Sequence, residues 1–270
     1  LADPVLFVAA GRMFTCAVTQ ASDADAEVYC WGKGNVGQLG NGPILDVTVP
    51  QKVIGLEDGG VIDGIYVGDT HACVEMDDTK LYCWGGNSSG QCLVAGGANQ
   101  SSAIEILGDY GVGTIQQVAL GHGHACVLLG DNKIICWGSD GFGQMDDGIP
   151  GGNNYFSPVT PVGLLPFVST GIASGGHHIC VLKNDAGISC WGLNNNGACG
   201  SGAENLQVSQ TVLPLHNPNN ILWERIYAGK DHTCALDKDY YAYCWGFNSF
   251  GQIGNNSDDS PIPSPVPVTW

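Results

Sequence analysis

The stretch Gly229–Gly254 reads "GKDHTCALDKDYYAYCWGFNSFGQIG", and its pattern recurs four times earlier in the chain. The related stretches begin at Val8, Tyr66, Ala119 and Ala173. The tryptophans of the five stretches are Trp31, Trp84, Trp137, Trp191 and Trp245, which are separated by 53, 53, 54 and 54 residues. Self-similarity at such a period is typical of architectures built from structural repeats. Five repeats of about 54 residues account for the 270 residues of the chain.

Each repeat has the composition of β-structure. The second repeat contains the short runs "HACVEM" and "KLYCWG", and the turn-forming pair Asp77-Asp78 separates them. Helical periodicity is absent, and a proline-containing extended stretch follows in most repeats. We therefore predict an all-β fold, a β-propeller with one sheet per repeat, in a single domain over residues 1–270. The repeats are placed at about 8–54, 65–107, 118–163, 172–215 and 226–270.

The two ends of the chain carry matching segments. The C-terminal "SPIPSPVPV" resembles "DVTVPQKV" at residues 46–53, which precedes the glycine-histidine strand of the next repeat. The chain begins with "LFVAAG", the strand that should follow such a segment. We expect the N- and C-terminal strands to pair in one blade, which would close a five-bladed ring and remove two sheet edges. The alternative is a larger ring of which this chain is a part.

The repeat unit "G-x-x-H-T-C-A-L … Y-C-W-G-x-N-x-x-G-Q-I-G" resembles the repeat of the regulator-of-chromosome-condensation family. The resemblance extends over all five repeats, with three departures. Known members are mostly seven-bladed, the Gly-Gln motif is degraded in "GQCL", "GQMD" and "GACG", and Phe14 replaces the histidine of the first repeat. The resemblance implies a propeller fold and a structural, hydrogen-bonding histidine. It implies no single activity, since members include a GTPase exchange factor and secreted inhibitors of β-lactamase.

Ten of the twelve cysteines form one pair in each repeat. The pairs are Cys16 with Cys30, Cys73 with Cys83, Cys126 with Cys136, Cys180 with Cys190, and Cys234 with Cys244, and all but the first are 10 residues apart. Even separations place both cysteines on the same face of adjacent strands, within disulfide range. Five disulfides would indicate an oxidising, extracytoplasmic compartment: secreted, periplasmic or cell-surface. Cys92 and Cys199 replace the leucine of Gly-Gln-Leu-Gly, and we expect them to be free thiols.

A zinc site is the competing interpretation of these cysteines. His71, Cys73 and Cys83 would supply three soft ligands, one fewer than a closed structural site needs, and no fourth ligand recurs. We therefore expect disulfides, with no metal and no cofactor. His122 and His177, which lie beside the structural histidines, are solvated loop residues or weak transition-metal ligands. Acidic pairs such as Asp146-Asp147 lack the spacing of a calcium loop and are assigned to turns.

The charge balance disfavours two classes of partner. The chain has 9 Lys+Arg against 26 Asp+Glu, a net charge of −17. Binding to a phosphate backbone needs clustered cations, so we expect no nucleic acid partner. No apolar run approaches the roughly 18–20 residues that span a bilayer, so we expect no membrane insertion.

Catalytic motifs are missing from the sequence, and loops are the expected site of function. P-loop, nucleophile-elbow, H-E-x-x-H and EF-hand patterns are absent, so we expect no enzyme. The residues between the strand glycine and the histidine vary freely and would lie at one place in every blade. We predict partner contacts there at Arg12, Met13, Asp69, Thr70, His122, His177, Lys230 and Asp231. The loops after Trp-Gly form a second set, in which Phe142 and Phe250 either anchor a partner or pack on a neighbouring blade.

Three functional hypotheses follow. The first is a non-catalytic secreted or cell-surface propeller that acts as a protein-interaction or structural module, through a protein partner or self-assembly. The second is a secreted enzyme inhibitor resembling the β-lactamase-binding propellers. The third is GTPase exchange, which the compartment indicated by the cysteines disfavours.

Overall fold

The structure of the chain is a computed structural model. It describes residues 4–20, 26–57, 59–108, 113–149, 152–164, 168–202, 206–215, 217 and 219–270. In these residues twenty β-strands form five four-stranded sheets, and a short 3-10 helix covers Val162–Leu164. No helix of the described residues is long and apolar enough to cross a membrane. The predicted all-β class and the prediction of one sheet per repeat are confirmed.

Each sheet uses four strands that are consecutive in the chain. The first contains β1 (Val5–Ala10), β2 (Phe14–Gln20), β3 (Ala26–Gly32) and β4 (Val47–Lys52). The second contains β5 (Ile62–Val67), β6 (His71–Met76), β7 (Lys80–Gly85) and β8 (Gln100–Glu105). The third contains β9 (Ile115–Leu120), β10 (His124–Leu129), β11 (Ile134–Ser139) and β12 (Asn154–Val159). The fourth contains β13 (Ser169–Ser174), β14 (His178–Lys183), β15 (Ile188–Asn194) and β16 (Leu206–Pro214). The fifth contains β17 (Trp223–Ala228), β18 (His232–Asp237), β19 (Ala242–Gly246) and β20 (Ile262–Pro267).

The terminal strands pair within their own sheets. β1 is hydrogen-bonded to β2, and β20 is hydrogen-bonded to β19. The blade predicted from both termini is therefore not among the strand pairings of the described residues. The physical reason is that the extended stretch after the Trp-Gly loop is the fourth strand of its own sheet in every repeat, so each sheet is filled without a strand from another repeat.

The predicted cysteine pairs are disulfide bonds in all five repeats. The two cysteines of each pair lie directly opposite each other on the second and third strands, with Cα atoms 4.0–4.1 Å apart. The bonds join Cys16 to Cys30, Cys73 to Cys83, Cys126 to Cys136, Cys180 to Cys190, and Cys234 to Cys244. The lengthened turn of the first repeat, residues 21–25, lies outside the described residues. The even spacing therefore identified the correct partner for every one of these ten cysteines.

The two remaining cysteines behave differently. Cys92 and Cys199 are free and buried, as predicted, and burial raises the pKa of both thiols to about 12. A thiol with such a pKa is neutral at ordinary pH and is a poor nucleophile. These two residues therefore have the properties of small core hydrophobes.

The chain divides into two compact units. Residues 1–116, 129–131 and 155–157 form the first, and residues 117–128, 132–154 and 158–270 form the second. The core of the first unit includes Val18, Ile65 and Trp84. The core of the second unit includes Leu182 and Trp245. The single domain predicted over residues 1–270 stays a prediction.

Removing one disulfide should measurably weaken the fold. We expect the double substitution of Cys180→Ala with Cys190→Ala to lower the free energy of unfolding by about 2–3 kcal/mol, because this bond closes a short loop in the unfolded chain. Equilibrium denaturation measures the change. The control Cys199→Ala removes a buried thiol without removing a cross-link, and should cost about 1 kcal/mol or less. Equal losses of unfolding free energy in the two variants would contradict a stabilising role of the disulfide cross-link.

Candidate interaction surface

The turn between the first and second strands has the same geometry in every sheet. The backbone N–H of its first glycine donates to the carbonyl oxygen three residues later, over 2.8–2.9 Å. These bonds join Gly11 to Phe14, Gly68 to His71, Gly121 to His124, Gly175 to His178, and Gly229 to His232. This backbone bond between the first and fourth residues closes the two-residue connection between the antiparallel strands of a hairpin. The two variable residues of each repeat therefore occupy the corners of this turn.

A second backbone bond joins this turn to the loop that follows Trp-Gly. In each sheet the residue after Trp-Gly donates its N–H to the second corner residue, over 2.8–2.9 Å. The donor and acceptor pairs are Lys33 and Met13, Gly86 and Thr70, Ser139 and Gly123, Leu193 and His177, and Phe247 and Asp231. Antiparallel order brings both connections to the same end of a sheet. The two sets of loop residues that the sequence suggests separately therefore form one surface in each unit.

The glycine of Trp-Gly is required by this close approach. Gly138 and Gly192 have φ values of 99° and 95°, in the region that only glycine enters easily. A Cβ atom on either residue would lie 2.4 Å from the carbonyl oxygen of the corner residue, Gly123 or His177. Any side chain here would push the turn away from the loop, so Trp-Gly recurs in every repeat.

The histidine after the turn has a structural role. His124 Nε2 lies 2.7 Å from Ser174 Oγ, and His178 Nε2 lies 2.8 Å from Thr233 Oγ1. Burial lowers the pKa of His178 to about 3, so this ring is neutral. Each bond joins a histidine of one sheet to a hydroxyl of the next, which agrees with the hydrogen-bonding role that the family resemblance implies. The neighbouring cysteines are bonded to each other and cannot act as thiolate ligands in this state.

Two side-chain contacts shape the loop after Trp-Gly. An Asn or Asp accepts the backbone N–H of the residue five positions later: Asn87 from Cys92, Asp140 from Met145, Asn194 from Cys199 and Asn248 from Ile253. The glutamine of Gly-Gln accepts a second N–H. Gln144 Oε1 binds the backbone of Phe142 at 2.7 Å, and Gln252 Oε1 binds that of Phe250 at 3.0 Å. The motif glutamine therefore sets the position of the loop aromatic residue.

The buried tryptophans connect neighbouring sheets. In the first unit, Trp84 Nε1 donates to the Gln38 carbonyl oxygen of the preceding sheet at 3.0 Å. In the second unit, Trp191 donates to Gln144 O at 2.7 Å and Trp245 donates to Ala198 O at 2.9 Å. Each acceptor is the Gln or Ala of the loop described above. The indole ring has a single N–H donor, and in each case it binds a loop carbonyl. Each bond therefore fixes one loop to the next sheet.

Three of the predicted partner-binding residues meet in the second unit. The rings of His122 and His177 have centroids 5.1 Å apart, and Phe142 packs on His177 at 4.9 Å. Backbone bonds from His122 to Gly176 (3.0 Å) and from Gly176 to Lys230 (2.8 Å) link the turns of the third, fourth and fifth sheets. The structure thus joins His122, Phe142 and His177 into one aromatic cluster, with the exposed Lys230 at the next turn.

Phe250 extends this end of the second unit. Its side chain is 87% exposed and contacts Phe247 edge-on, with ring centroids 5.9 Å apart. Lys230 Nζ lies 3.9 Å from Asp231 Oδ2, so the two charges partly offset each other. We call the set His122, Phe142, His177, Lys230, Asp231 and Phe250 the turn surface. Partner contact at these residues stays a prediction.

The remaining predicted residues lie in the first unit. Arg12 is exposed and Met13 is 54% exposed at the turn of the first sheet, whereas Asp69 and Thr70 are half-buried at the turn of the second. The ring contacts that join predicted residues, those of His122 and Phe142 with His177, lie in the second unit. The turn surface is therefore the stronger candidate for a partner site, because its predicted residues contact one another.

The sequence did not predict that the carboxyl groups of Asp140 and Asp146 are buried. Asp140 and Asp146 are each 2% exposed. Desolvation raises the pKa of both side chains to about 6; the Met145 and Gly163 backbone N–H groups oppose this, and neighbouring aspartates add to it. Asp140 occupies the position of Asn87, Asn194 and Asn248 in the other repeats. Comparison of the repeats at this position was the signal that could have identified it.

The repeats match a known family description. The profile named "Regulator of chromosome condensation (RCC1) repeat" matches residues 25–74. A second profile of the same repeat matches residues 62–91, 115–144 and 223–252.

Comparisons along the whole chain agree with this. The chain is 29% identical over 270 residues to the ultraviolet-B receptor UVR8 of Arabidopsis thaliana, covering 98% of this chain and 58% of the receptor. It therefore spans little more than half the length of that relative. The structure of human WBSCR16 has a TM-score of 0.84 at 22% identity, covering 98% of this chain and 67% of the other. Prp20p of Saccharomyces cerevisiae, described with its binding to Gsp1p and histones, has a TM-score of 0.80 at 22% identity, covering 98% and 65%. The fold is that of RCC1-like β-propellers.

Replacing Asp140 should stabilise the chain in a pH-dependent way. Its folded-state pKa of about 6 lies above the ordinary carboxyl value, so the folded state binds a proton that the unfolded chain releases. The contribution of the protonated Asp140 side chain to the free energy of unfolding is fully present below the pKa that this group has in the unfolded chain. It is lost as the pH rises through 6. We expect Asp140→Asn to raise the free energy of unfolding by roughly 1–2 kcal/mol at about pH 8 and to have little effect at about pH 4.

The reciprocal control is Asn194→Asp in the fourth sheet. This change places a carboxylate at the equivalent buried position and should lower stability at alkaline pH, with recovery on acidification. Denaturant titrations at several pH values measure both variants. A stability profile of Asp140→Asn that runs parallel to that of the unmodified chain would contradict the prediction.

Proposed function

Because the chain belongs to the family of proteins built from RCC1 repeats, we propose that it is a non-catalytic protein-interaction module of an extracytoplasmic compartment. Its turn surface is the proposed contact site. The observation that carries the proposal is the cluster of His122, Phe142 and His177, which brings variable residues of two repeats together on an otherwise repetitive scaffold.

The five disulfides support the compartment. Such bonds persist in oxidising environments and are rare where glutathione and thioredoxin keep thiols reduced. All five lie at the same position of the repeat, so they are part of the scaffold and not an isolated redox pair. A stapled scaffold suits a module that acts outside the cell, where it must stay folded without chaperones.

The chemistry of the turn surface supports a protein partner. Aromatic residues and a cation provide apolar contact area together with directional polar groups, which is the composition of interface anchors. The backbone that carries these side chains is held by backbone bonds and by Gln144 and Gln252, so little backbone conformational entropy is lost on binding. A small-molecule site would need an enclosed pocket, whereas these residues lie on turns at the end of the sheets.

A second candidate is GTPase exchange, which is the activity of one member of the family that the repeats resemble. The likeness to Prp20p, described by its binding to Gsp1p and histones, favours a protein partner for this chain too. Reduced thiols at the ten paired cysteines would favour this intracellular role, because the cytosol and nucleus keep thiols reduced.

The contact site can be tested by site-specific photo-cross-linking in cells of the source organism. A photoreactive phenylalanine analogue replaces Phe250 in one variant and Tyr240 in the other. Both positions are exposed aromatics of the fifth sheet, at 87% and 63%, but Tyr240 lies in the turn between β18 and β19, at the opposite end. We expect a discrete adduct with another protein from position 250 and none from position 240.

His177→Ala provides the second half of that test. Loss of this ring removes the packing partner of Phe142 and should reduce the yield of the adduct without changing the melting temperature by more than a few degrees. An adduct that forms equally from both positions, or that is insensitive to His177→Ala, would contradict the proposed contact site.

The compartment can be tested by intact mass of the native protein. Alkylation without reductant should modify at most the two free cysteines, and alkylation after reduction and unfolding should modify all twelve. Rapid acid quenching during isolation prevents air oxidation from forming disulfides that the native protein lacks. Modification of all twelve cysteines without reductant would overturn the extracytoplasmic assignment and leave the turn-surface proposal to the cross-linking test.

A further inference from the structure

A cavity of about 320 Å³ opens between the fourth and fifth sheets, within the second unit. It lies where β14 ends and β17 begins, so it is at the end of these sheets opposite the turn surface. Its volume is at the lower end of the range for small-molecule sites, roughly 300–1,000 Å³. Leu182 and Ala186 give the cavity an apolar wall, and the other residues that line it are polar, charged or aromatic.

Two of the 9 Lys and Arg residues of this acidic chain line the cavity, Lys183 and Lys238. Lys183 is the sixth residue of β14, and the sixth residues of β6 and β10 are the buried Met76 and Leu129. The Lys183 side chain is itself only 11% exposed, so a cation occupies a position that is apolar in two other sheets. Its ammonium group lies 3.7 Å from the carboxylate of Asp185, and an ammonium group has three donors and can bind several acceptors at once.

Trp223 adds a buried donor to the lining of the cavity. Its side chain is 1% exposed, and among the described residues no acceptor binds its Nε1. By contrast, the buried indoles of Trp84, Trp191 and Trp245 each donate to a loop carbonyl. An N–H group that is buried without a partner has lost its hydration and gained nothing in exchange. A ligand oxygen that enters the cavity beside Trp223 would supply the missing acceptor.

Two further groups of the cavity accept hydrogen bonds. The Thr170 hydroxyl donates to the Leu182 carbonyl oxygen at 3.4 Å, and a hydroxyl oxygen that donates keeps lone pairs for an incoming donor. Glu224 supplies an exposed carboxylate. This carboxylate repels a simple inorganic anion but accepts from a hydroxyl group. The lining therefore matches a ligand that carries both a negative charge and hydroxyl groups.

Backbone bonds hold the walls of the cavity in place. The Trp223 N–H donates to the Ala186 carbonyl oxygen at 3.0 Å, which joins the fifth sheet to the fourth. The Lys238 N–H donates to the Leu222 carbonyl oxygen at 3.0 Å, which fixes the turn after β18 beside the start of β17. The cavity is therefore built into the scaffold, and binding requires little rearrangement of the backbone.

We propose that this cavity binds a small hydroxy acid of about the size of one sugar. Its carboxylate binds the ammonium groups of Lys183 and Lys238 and accepts from the Trp223 indole. Its hydroxyl groups donate to Thr170 and Glu224. The site is separate from the turn surface, so it does not depend on the proposed protein contact.

Titration with D-glucuronate, followed by nuclear magnetic resonance of the indole N–H groups of the whole chain, tests the proposal. The chain has seven tryptophans, and the indole signal that is lost in Trp223→Phe identifies Trp223. We expect this signal to move and to saturate, with a dissociation constant on the order of 1 mM. D-Glucose, which has hydroxyl groups but no carboxylate, should leave the signal in place. Sodium sulfate at equal ionic strength should also leave it in place.

Lysine variants separate the cavity from the overall charge of the chain. Lys183→Met introduces the residue that the second sheet has at this position, and should weaken glucuronate binding by about tenfold or more. Lys238→Met changes an exposed residue of the cavity, and should weaken binding by about threefold while leaving the core intact. The control Lys133→Met removes an exposed lysine of the third sheet that does not line the cavity, and should leave binding unchanged.

Three results would overturn the proposal. The first is a Trp223 signal that does not move with glucuronate. The second is an equal response to glucuronate and to either glucose or sulfate, since the site would then not recognise a hydroxy acid. The third is an equal loss of affinity in the cavity variants and in Lys133→Met, since binding would then reflect net charge alone.

Discussion

A buried hydrogen bond between sheets, from a tryptophan indole to a backbone carbonyl, is the interaction on which the rest of this structure depends. Trp84, Trp191 and Trp245 donate to carbonyls of the preceding sheet, and every acceptor belongs to the loop after Trp-Gly. An indole N–H buried without an acceptor would cost about 1–3 kcal/mol, so the loop and the next sheet are held in one relative position. The bond therefore determines both how sheets align and where the loops lie.

The remaining constraints act on the same loop. The positive φ of the Trp-Gly glycine allows a corner carbonyl within hydrogen-bond reach, and an Asn or Asp side chain closes the far end. The disulfide, one residue before the tryptophan, fixes the two strands that carry these groups, as Cys180 and Cys190 do in the fourth sheet. Because the scaffold is specified at so few positions, the corner residues are free to vary. The turn surface is built from those unconstrained residues, which is the usual division between framework and function in repeat proteins.

Sequence reasoning predicted the parts of the fold that depend on local chemistry. The repeat period and the disulfide pairs follow from spacing, the structural histidine follows from the family resemblance, and all three recur in the structure. The pairing of the terminal strands did not follow in this way, since "SPIPSPVPV" identifies a fourth strand but not which third strand it pairs with. The contact of His177 with Phe142 joins residues of neighbouring repeats, and no spacing within one repeat encodes it. The burial of Asp140 likewise depends on the surrounding loop and not on the residue type.

Exchange of the indole protons of the whole chain, followed by nuclear magnetic resonance, tests the role of the inter-sheet bond most directly. Trp191 and Trp245 are fully buried, Trp31 of the first sheet is half-buried, and Trp270 is fully exposed. We predict that the indole N–H groups of Trp191 and Trp245 exchange only through global unfolding, with rates that follow denaturant concentration, while those of Trp31 and Trp270 exchange rapidly. Rapid exchange at Trp191 and Trp245, or equal protection at Trp31, would contradict the account.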